Sequence, residues 1–170
     1  MPDELAAGPL VLRRWRLEAL DELMAAIAES FEALRPWMPW AATMPTVDEE
    51  HAFLVTAPER FEAGIEFGYG MHDADSGRFL GACGLHAHHG PALLEIGYWV
   101  RTTATGRGYA TAAARALTAA GFTHVPAAER IQIRCGVGNA SSAAIPPKLG
   151  YALDRIEREH MVWIRTRSGE

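Results

Sequence analysis

The stretch LEIGYWVRTTATGRGYAT, Leu94 to Thr111, decides how this chain reads. Leu94 to Val100 is an apolar, aromatic run of strand length. Arg101 to Thr105 is short and polar, and Gly106 to Phe122 is an Ala-rich segment that reads as a helix. A strand therefore runs into a glycine loop, and the loop into a helix. Glycine lets main chain approach a ligand closely. The unpaired N–H groups of a helix's first turn, with its dipole, favour an anion. The chemistry points to a phosphate or diphosphate; a plain helix start with glycine in the turn is the competing reading.

Spacing argues against two familiar phosphate binders. The nucleoside-triphosphate loop, GxxxxGK followed by Ser or Thr, is absent. A dinucleotide loop would need glycine where Thr111 stands. The acid about 20 residues further on, Glu129, precedes the next strand instead of ending it.

Outward from this stretch, PLVLRR (9–14) reads as the first strand. Leu17, Leu20, Met24, Ile27, Phe31 and Leu34 then recur at helical spacing. The prolines of RPWMPW, Arg35 to Trp40, end that helix. Thr46 and Glu49 form a capping box for a helix from Val47 to about Gly64, with Phe53, Leu54, Ala57 and Phe61 facing inward. Pro58 is expected to kink or split it. Glu66–Met71, Arg78–Leu85 and Leu93–Val100 read as an antiparallel meander broken by turn residues. Arg130–Val137 is a further strand, Ser141–Leu149 a short helix, and Tyr151–Glu157 and His160–Thr166 two closing strands. With no repeat and no linker, the chain reads as a single α+β or α/β domain over residues 1–170.

Composition narrows the partners. A net charge of −5 without a basic stripe argues against a nucleic-acid partner and suits a cationic substrate. No apolar run reaches membrane-spanning length, and Met1 to Leu10 carries Asp3 and Glu4 and no signal pattern, so a cytoplasmic protein with no membrane partner is expected. Cys83 and Cys135 make no CxxC pair and read as small buried residues. His86, His88 and His89 lack the Cys or Asp partners of a metal site, so no metal is expected. His86 lies on the strand beside that of Glu95 and is a candidate to line an acceptor site.

GRGYAT after EIGYWV resembles the acetyl-CoA loop of the GNAT N-acetyltransferase superfamily. The likeness is closest to its branch of ribosomal-protein N-terminal acetyltransferases (RimJ/RimL-like). LVLRRW, LRPWMPW, FGYGM, GACGLH, IQIRCGVGNASS and KLGY extend it over nearly the whole chain. The resemblance implies the GNAT fold, a mixed twisted sheet of six to seven strands flanked by helices. The implied order is β-α-α-β-β-β-α-β-α-β-β, with acetyl-CoA entering where two central parallel strands splay apart.

The superfamily loop usually reads Gln/Arg-x-x-Gly-x-Gly/Ala. Here Gly108 and Ala110 fill the small positions, while Thr105 replaces the long polar residue. Main-chain amides of Gly106, Arg107, Gly108, Tyr109, Ala110 and Thr111 are implied to hold the diphosphate. The Arg107 side chain is either a further phosphate partner or a solvated loop cation. The amide near Trp99 or Val100 is implied to steady the thioester oxygen.

Acetyl transfer also needs a neutral amine and a protonated leaving thiolate. A peptide α-amine has a pKa near ~8, so a carboxylate acting through water suffices as base. Glu95 shares a strand face with Gly97 and Trp99, and a charge there is costly without partners. It is either that base or a salt-bridged structural residue. The tyrosine that many GNAT enzymes use as acid falls at Pro146. In the ribosomal branch a serine in an NxxS motif takes its place, which here gives Ser142 as acid and Asn139 as holder of the pantetheine arm. Ordinary helix capping is the competing reading of both. Trp37 and Trp40 are either walls of an acceptor groove or apolar staples.

The expected function is acetyl-CoA-dependent N-acetylation of a primary amine, a protein or peptide N-terminal α-amine, by direct attack on the thioester. A small-molecule amine (antibiotic, polyamine or aminoacyl nucleotide) is the alternative acceptor. A non-catalytic acyl-CoA sensor is the alternative of another class. Homodimers are common among similar proteins.

Overall fold

The computed structural model describes residues 1–167, so the last three positions of the domain read from sequence lie outside the described residues. Eight strands, β1 (Glu4–Ala7), β2 (Leu10–Arg14), β3 (Glu66–Asp73), β4 (Phe79–His86), β5 (Leu93–Val100), β6 (Arg130–Gly136), β7 (Ala152–Glu157) and β8 (His160–Thr166), form one sheet in the order β1-β2-β3-β4-β5-β6-β8-β7. Four helices accompany them, α1 (Leu20–Leu34), α2 (Val47–Glu62), α3 (Tyr109–His124) and the single turn α4 (Ala140–Ala143).

The strand count exceeds the expected six to seven because Glu4–Ala7 pairs with β2, from Glu4↔Arg13 to Ala7↔Leu10. Four residues, ELAA, carry too little alternation to announce a strand. Their pairing supplies what the local pattern lacks.

Period-two alternation sends side chains to two cores. One is built on Leu85, Leu94, Ile96, Ile131 and the α3 residue Leu117. The other gathers Trp15, Leu23, Ile27, Leu54, Phe79 and Ala82 between the sheet and α1/α2. α1 buries Leu23, Ala26, Ile27, Ser30 and Leu34, a stripe rotated from the one its largest apolar residues suggested, and Leu17 is left exposed. Small residues face inward there because α1 sits close to the loop after β5.

The Thr46–Glu49 capping box is present in both directions, at 3.3 Å and 2.8 Å. α2 runs unbroken through Pro58. Its last turn is pinned by Arg14, which donates to the Pro58 carbonyl at 3.0 Å, pairs with Glu62 at 2.6 Å and lies over the Phe61 ring.

All neighbouring strands are antiparallel except β5 and β6. Their parallel pairing covers only Leu93↔Arg130 to Ile96↔Ile133. Beyond it, β5 stays with β4 as far as Val100, and β6 stays with β8 as far as Gly136. Each outer neighbour draws its strand away, and the sheet opens into a V at its centre.

The segment after β5 is clamped from α1. Glu29 binds Arg101 on two nitrogens and accepts from the Thr103 hydroxyl at 2.8 Å, while Ser30 Oγ accepts from the Thr102 N–H at 3.0 Å. The Arg101 guanidinium first, with Thr103 behind it, holds the Glu29 carboxyl down at about 2. A lowered carboxylate stabilises the fold above its unfolded pKa of ~4.3 and loses that contribution as pH falls toward the folded value. Glu29→Gln should therefore flatten the loss of thermal stability between pH ~4.3 and about 2, measured by melting curves across that range.

Candidate active site

At the head of α3, Gly106 (φ 75°) and Gly108 (φ 79°) take left-handed conformations that a side chain would strain. The first main-chain bond of α3 is Ala112 N–H to Gly108 O, 3.0 Å, so the N–H groups of Tyr109, Ala110 and Thr111 have no intrahelical partner. Thr105, the departure from the usual loop, turns its hydroxyl back onto the Thr102 carbonyl at 3.0 Å and braces the preceding turn. Arg107 is exposed and forms no ion pair among the described residues. The turn thus presents three unpaired N–H groups at a helix start, an arrangement suited to an anion, with the Arg107 cation at its rim.

Strand geometry separates Trp99 from Val100. The Arg101 N–H donates to the Leu80 carbonyl across the β4–β5 seam, at 2.9 Å. Alternation then directs the Trp99 N–H toward β4 and those of Tyr98 and Val100 toward β6. β6 pairs with β5 no further than Ile133, so these two N–H groups face the open V. Of the two amides considered from sequence, Val100 is the free one.

Glu95 is not an isolated charge. It stands opposite His86 on β4 and Gln132 on β6, and His86 stands opposite Glu66 on β3. One polar rung thus crosses four strands. Gln132, buried, donates Nε2 to Glu95 Oε2 at 2.6 Å. Glu66 pairs with Arg60 at 2.5 Å and lies 3.7 Å from His86 Nδ1. The His86 ring stacks on His88, and burial first of all pushes its pKa down, against the pull of Glu66 and Glu95. Burial thus favours the neutral form of His86. Among the described residues no group of three His, Cys, Asp or Glu is arranged to hold a metal ion. Nor is any helix there long and apolar enough to cross a membrane.

The next rung on the same face is Gly68, Gly84 and Gly97, in register. A Cβ at Gly97 would come within 3.4 Å of His86 Nε2. The two rungs floor a cleft of about 610 Å³ whose walls include Trp15, Trp40, Phe53, Glu50 and Trp99. Trp40 stands 5.9 Å from Trp99, centroid to centroid. Trp37 is not with it: its ring packs on Gly136 and Gly138 at the exit of β6. The expected pair of groove walls is thus divided, with Trp40 at the cleft and Trp37 over the open end of β6.

On the far side of the V, Asn139 Oδ1 accepts from the Ser142 N–H at 3.1 Å and caps α4. The capping reading of Asn139 is therefore realised, with its Nδ2 and the second lone pair of Oδ1 left for another partner. Ser142 Oγ lies 3.0 Å from the Tyr98 hydroxyl. Pro146, buried in a 3₁₀ turn, offers no proton at the usual position.

Gln132, Glu66, Tyr98 and Glu29 escaped the sequence reading. The first two carried a faint signal, a polar residue inside an apolar strand run, but only register shows that they share a rung.

A model of the acetyltransferase (GNAT) domain matches residues 9–152. YdaF of Bacillus subtilis (strain 168), named a ribosomal N-acetyltransferase, is 29% identical over 135 residues, covering 77% of this chain and 71% of that protein. Among solved structures, the microcin C7 self-immunity acetyltransferase MccE, in complex with acetyl-CoA and AMP, superposes with a TM-score of 0.84 at 18% identity, covering 98% of each chain. RimL, the ribosomal L7/L12 α-N-protein acetyltransferase, in complex with coenzyme A, gives 0.82 at 15%, covering 96% of this chain and 97% of that one. The ribosomal-protein-S5-alanine acetyltransferase of Vibrio fischeri gives 0.83 at 14%, covering 96% of both.

Proposed function

The chain belongs to the GNAT acetyltransferase family, and from that premise we propose that it acetylates the α-amine at the N-terminus of a protein or peptide. It is an N-acetyltransferase of the RimJ/RimL-like branch with acetyl-CoA as cosubstrate. The observation that carries the proposed reaction is the placement of Glu95. It sits on the cleft floor, fixed by Gln132, on the strand whose far end presents the Val100 N–H to the open V.

The residues present fit the cosubstrate. The N–H groups of the Gly106–Thr111 turn would hold its diphosphate, and the parted β5 and β6 would admit its arm. Bound there, acetyl-CoA would supply an acetyl group activated as a thioester. The Val100 N–H donates to the acyl oxygen where negative charge develops. Glu95 takes the amine proton through water. Ser142 gives a proton on the leaving side. The aromatic wall and the carboxylates of Glu50, Glu66 and Glu95 suit an ammonium group that arrives charged and is deprotonated in place.

The names of YdaF, RimL and the S5-alanine enzyme favour a ribosomal protein tail as acceptor. One observation favours a second reading, a small aminoacyl nucleotide. The glycine rung carries no side chains of its own, Trp15 covers its Gly68 end, and the Gly97 end lies in the cleft walled by Trp40 and Trp99, aromatic surfaces that suit a stacked base.

Thiol release from acetyl-CoA, followed against peptides, polyamines and an aminoacyl nucleotide, tests these readings. Peptide turnover exceeding that of the small amines is the expected result. Turnover confined to small amines would replace the acceptor, and binding without turnover on any amine would leave an acyl-CoA sensor. Trp40→Ala should raise the acceptor KM about 10-fold and leave that for acetyl-CoA unchanged, measured by initial rates on both substrates.

A further inference from the structure

A hydroxyl pair stands at the mouth between the parted strands. Tyr98 lies just beyond Ile96, the last β5 residue that pairs with β6. Ser142 lies on α4, just beyond the end of β6. Their oxygens are 3.0 Å apart, so the side chains reach across a gap that the main chains leave open. The Ser142 carbonyl, 3.5 Å from the same phenol, is the weaker partner.

The other candidates for this pairing are engaged. Asn139 spends its carbonyl oxygen on the Ser142 N–H and so sets the start of α4, not the Ser142 hydroxyl. The Tyr151 hydroxyl is 2.7 Å from Thr118 Oγ1 on α3. Cys135 is buried, and burial first of all raises its thiol pKa, against hydrogen bonds to Trp163 and Ser142; the thiol is thus a second neighbour of the Ser142 hydroxyl, but a weak sulfur partner beside the phenol. Burial likewise raises the Tyr98 phenol to about 12, against the Ser142 hydrogen bond, so in the resting site it is protonated and can donate.

We infer that Tyr98 is the positioning residue of the leaving-group acid: its O–H donates to Ser142 Oγ and thereby aims the Ser142 O–H into the V at the departing sulfur. The inference rests on the transferase reading above. As the acceptor nitrogen bonds the acetyl carbon, the C–S bond breaks and its electron pair stays on sulfur. Sulfur takes the Ser142 proton, Ser142 Oγ takes the Tyr98 proton, and the phenolate recovers one from water. The proton lost by the amine goes to Glu95. A tyrosine from the strand thus serves, through a serine, where the helix supplies only Pro146.

The test uses Tyr98→Phe, which keeps the ring and its packing, with Ser142→Ala and the double variant. Ser142→Ala should lower kcat about 100-fold and Tyr98→Phe about 10-fold, with the acetyl-CoA KM unchanged and the double variant no worse than Ser142→Ala. A second readout needs no turnover. Coenzyme A bound to each protein is titrated by its thiolate absorbance, and both single variants should raise the thiol pKa by about half a unit, since a donor to the thiolate is lost. Wild-type kcat in Tyr98→Phe, a double variant that loses the product of both single effects, or an unshifted thiol would overturn the inference. If the wild-type protein acetylates no amine, it is the transferase reading that falls, and the thiolate titration still decides whether the pair meets the sulfur.

Discussion

Glu95→Gln is expected to lower kcat by about 100-fold at neutral pH, the scale of a positioned base, while acetyl-CoA affinity stays at the wild-type value. The substitution removes the basic oxygen but keeps the length and the hydrogen-bonding capacity toward Gln132, whose Nε2 now donates to the carboxylate at 2.6 Å. The rung through His86 and Glu66 should therefore remain in place. The pH dependence gives the effect its signature. An α-amine with a pKa near ~8 needs no help once the pH exceeds that value. The deficit of the variant should shrink above it and be largest below. Steady-state rates from pH 6 to 9, with calorimetric titration of coenzyme A as the binding control, make the measurement. An undiminished rate at neutral pH would remove Glu95 from the reaction and move attention to His86 beside it.

The largest structural effect is expected at Gly81→Ala. Gly81 stands opposite Val100 on the β4–β5 seam at φ 149°. An added Cβ would fall 2.2 Å from the Trp99 carbonyl oxygen and 2.9 Å from Val100 Cα. Both are main-chain atoms, so no rotamer change relieves the overlap. β5 must move away from β4 at the very residues that present an N–H to the V. Overpacking of this kind costs about 3 kcal/mol, which at this chain length lowers the melting temperature by about 6–12 °C. The surviving folded enzyme should also lose kcat, because the Val100 amide is displaced. Gly77→Ala is the matched control. Gly77 also has positive φ, 71°, but nothing lies within 4 Å of its added Cβ, so only about 1 kcal/mol of backbone strain is expected there. Equal melting temperatures for the two variants would show that the seam yields, and the account of the oxyanion donor would lose its rigid support.

The two substitutions act on opposite ends of one strand, and β5 shows how far the amino-acid order reaches. Its alternation already placed Glu95, Gly97 and Trp99 on a shared face, because the side-chain period of a strand is a property of the backbone alone. The cap at Thr46 and Glu49 was equally legible, since both partners lie within one helical turn. So was the glycine turn at 106–111, whose free N–H groups follow from any helix start.

The misses have one cause. ELAA became a strand only by pairing with β2. α2 was not split at Pro58, and its last turn meets Arg14, distant in sequence. Trp37 and Trp40, three residues apart, went to different places because one meets Gly136 and the other Trp99. The hydroxyl of Tyr98 found Ser142 across the V, a contact that no local pattern announces.

By itself, then, the sequence determined the local devices of this protein: a strand, a glycine turn, a helix start with free N–H groups, and a capped helix. These depend on backbone periodicity and on contacts within a few residues. Only the tertiary structure decided that Glu66, His86, Glu95 and Gln132 form one rung, that Val100 rather than Trp99 keeps its N–H free, and that β5 and β6 part beyond Ile96 and Ile133. Those outcomes depend on register between strands far apart in the chain. A shift of one residue would turn every one of these side chains to the opposite face.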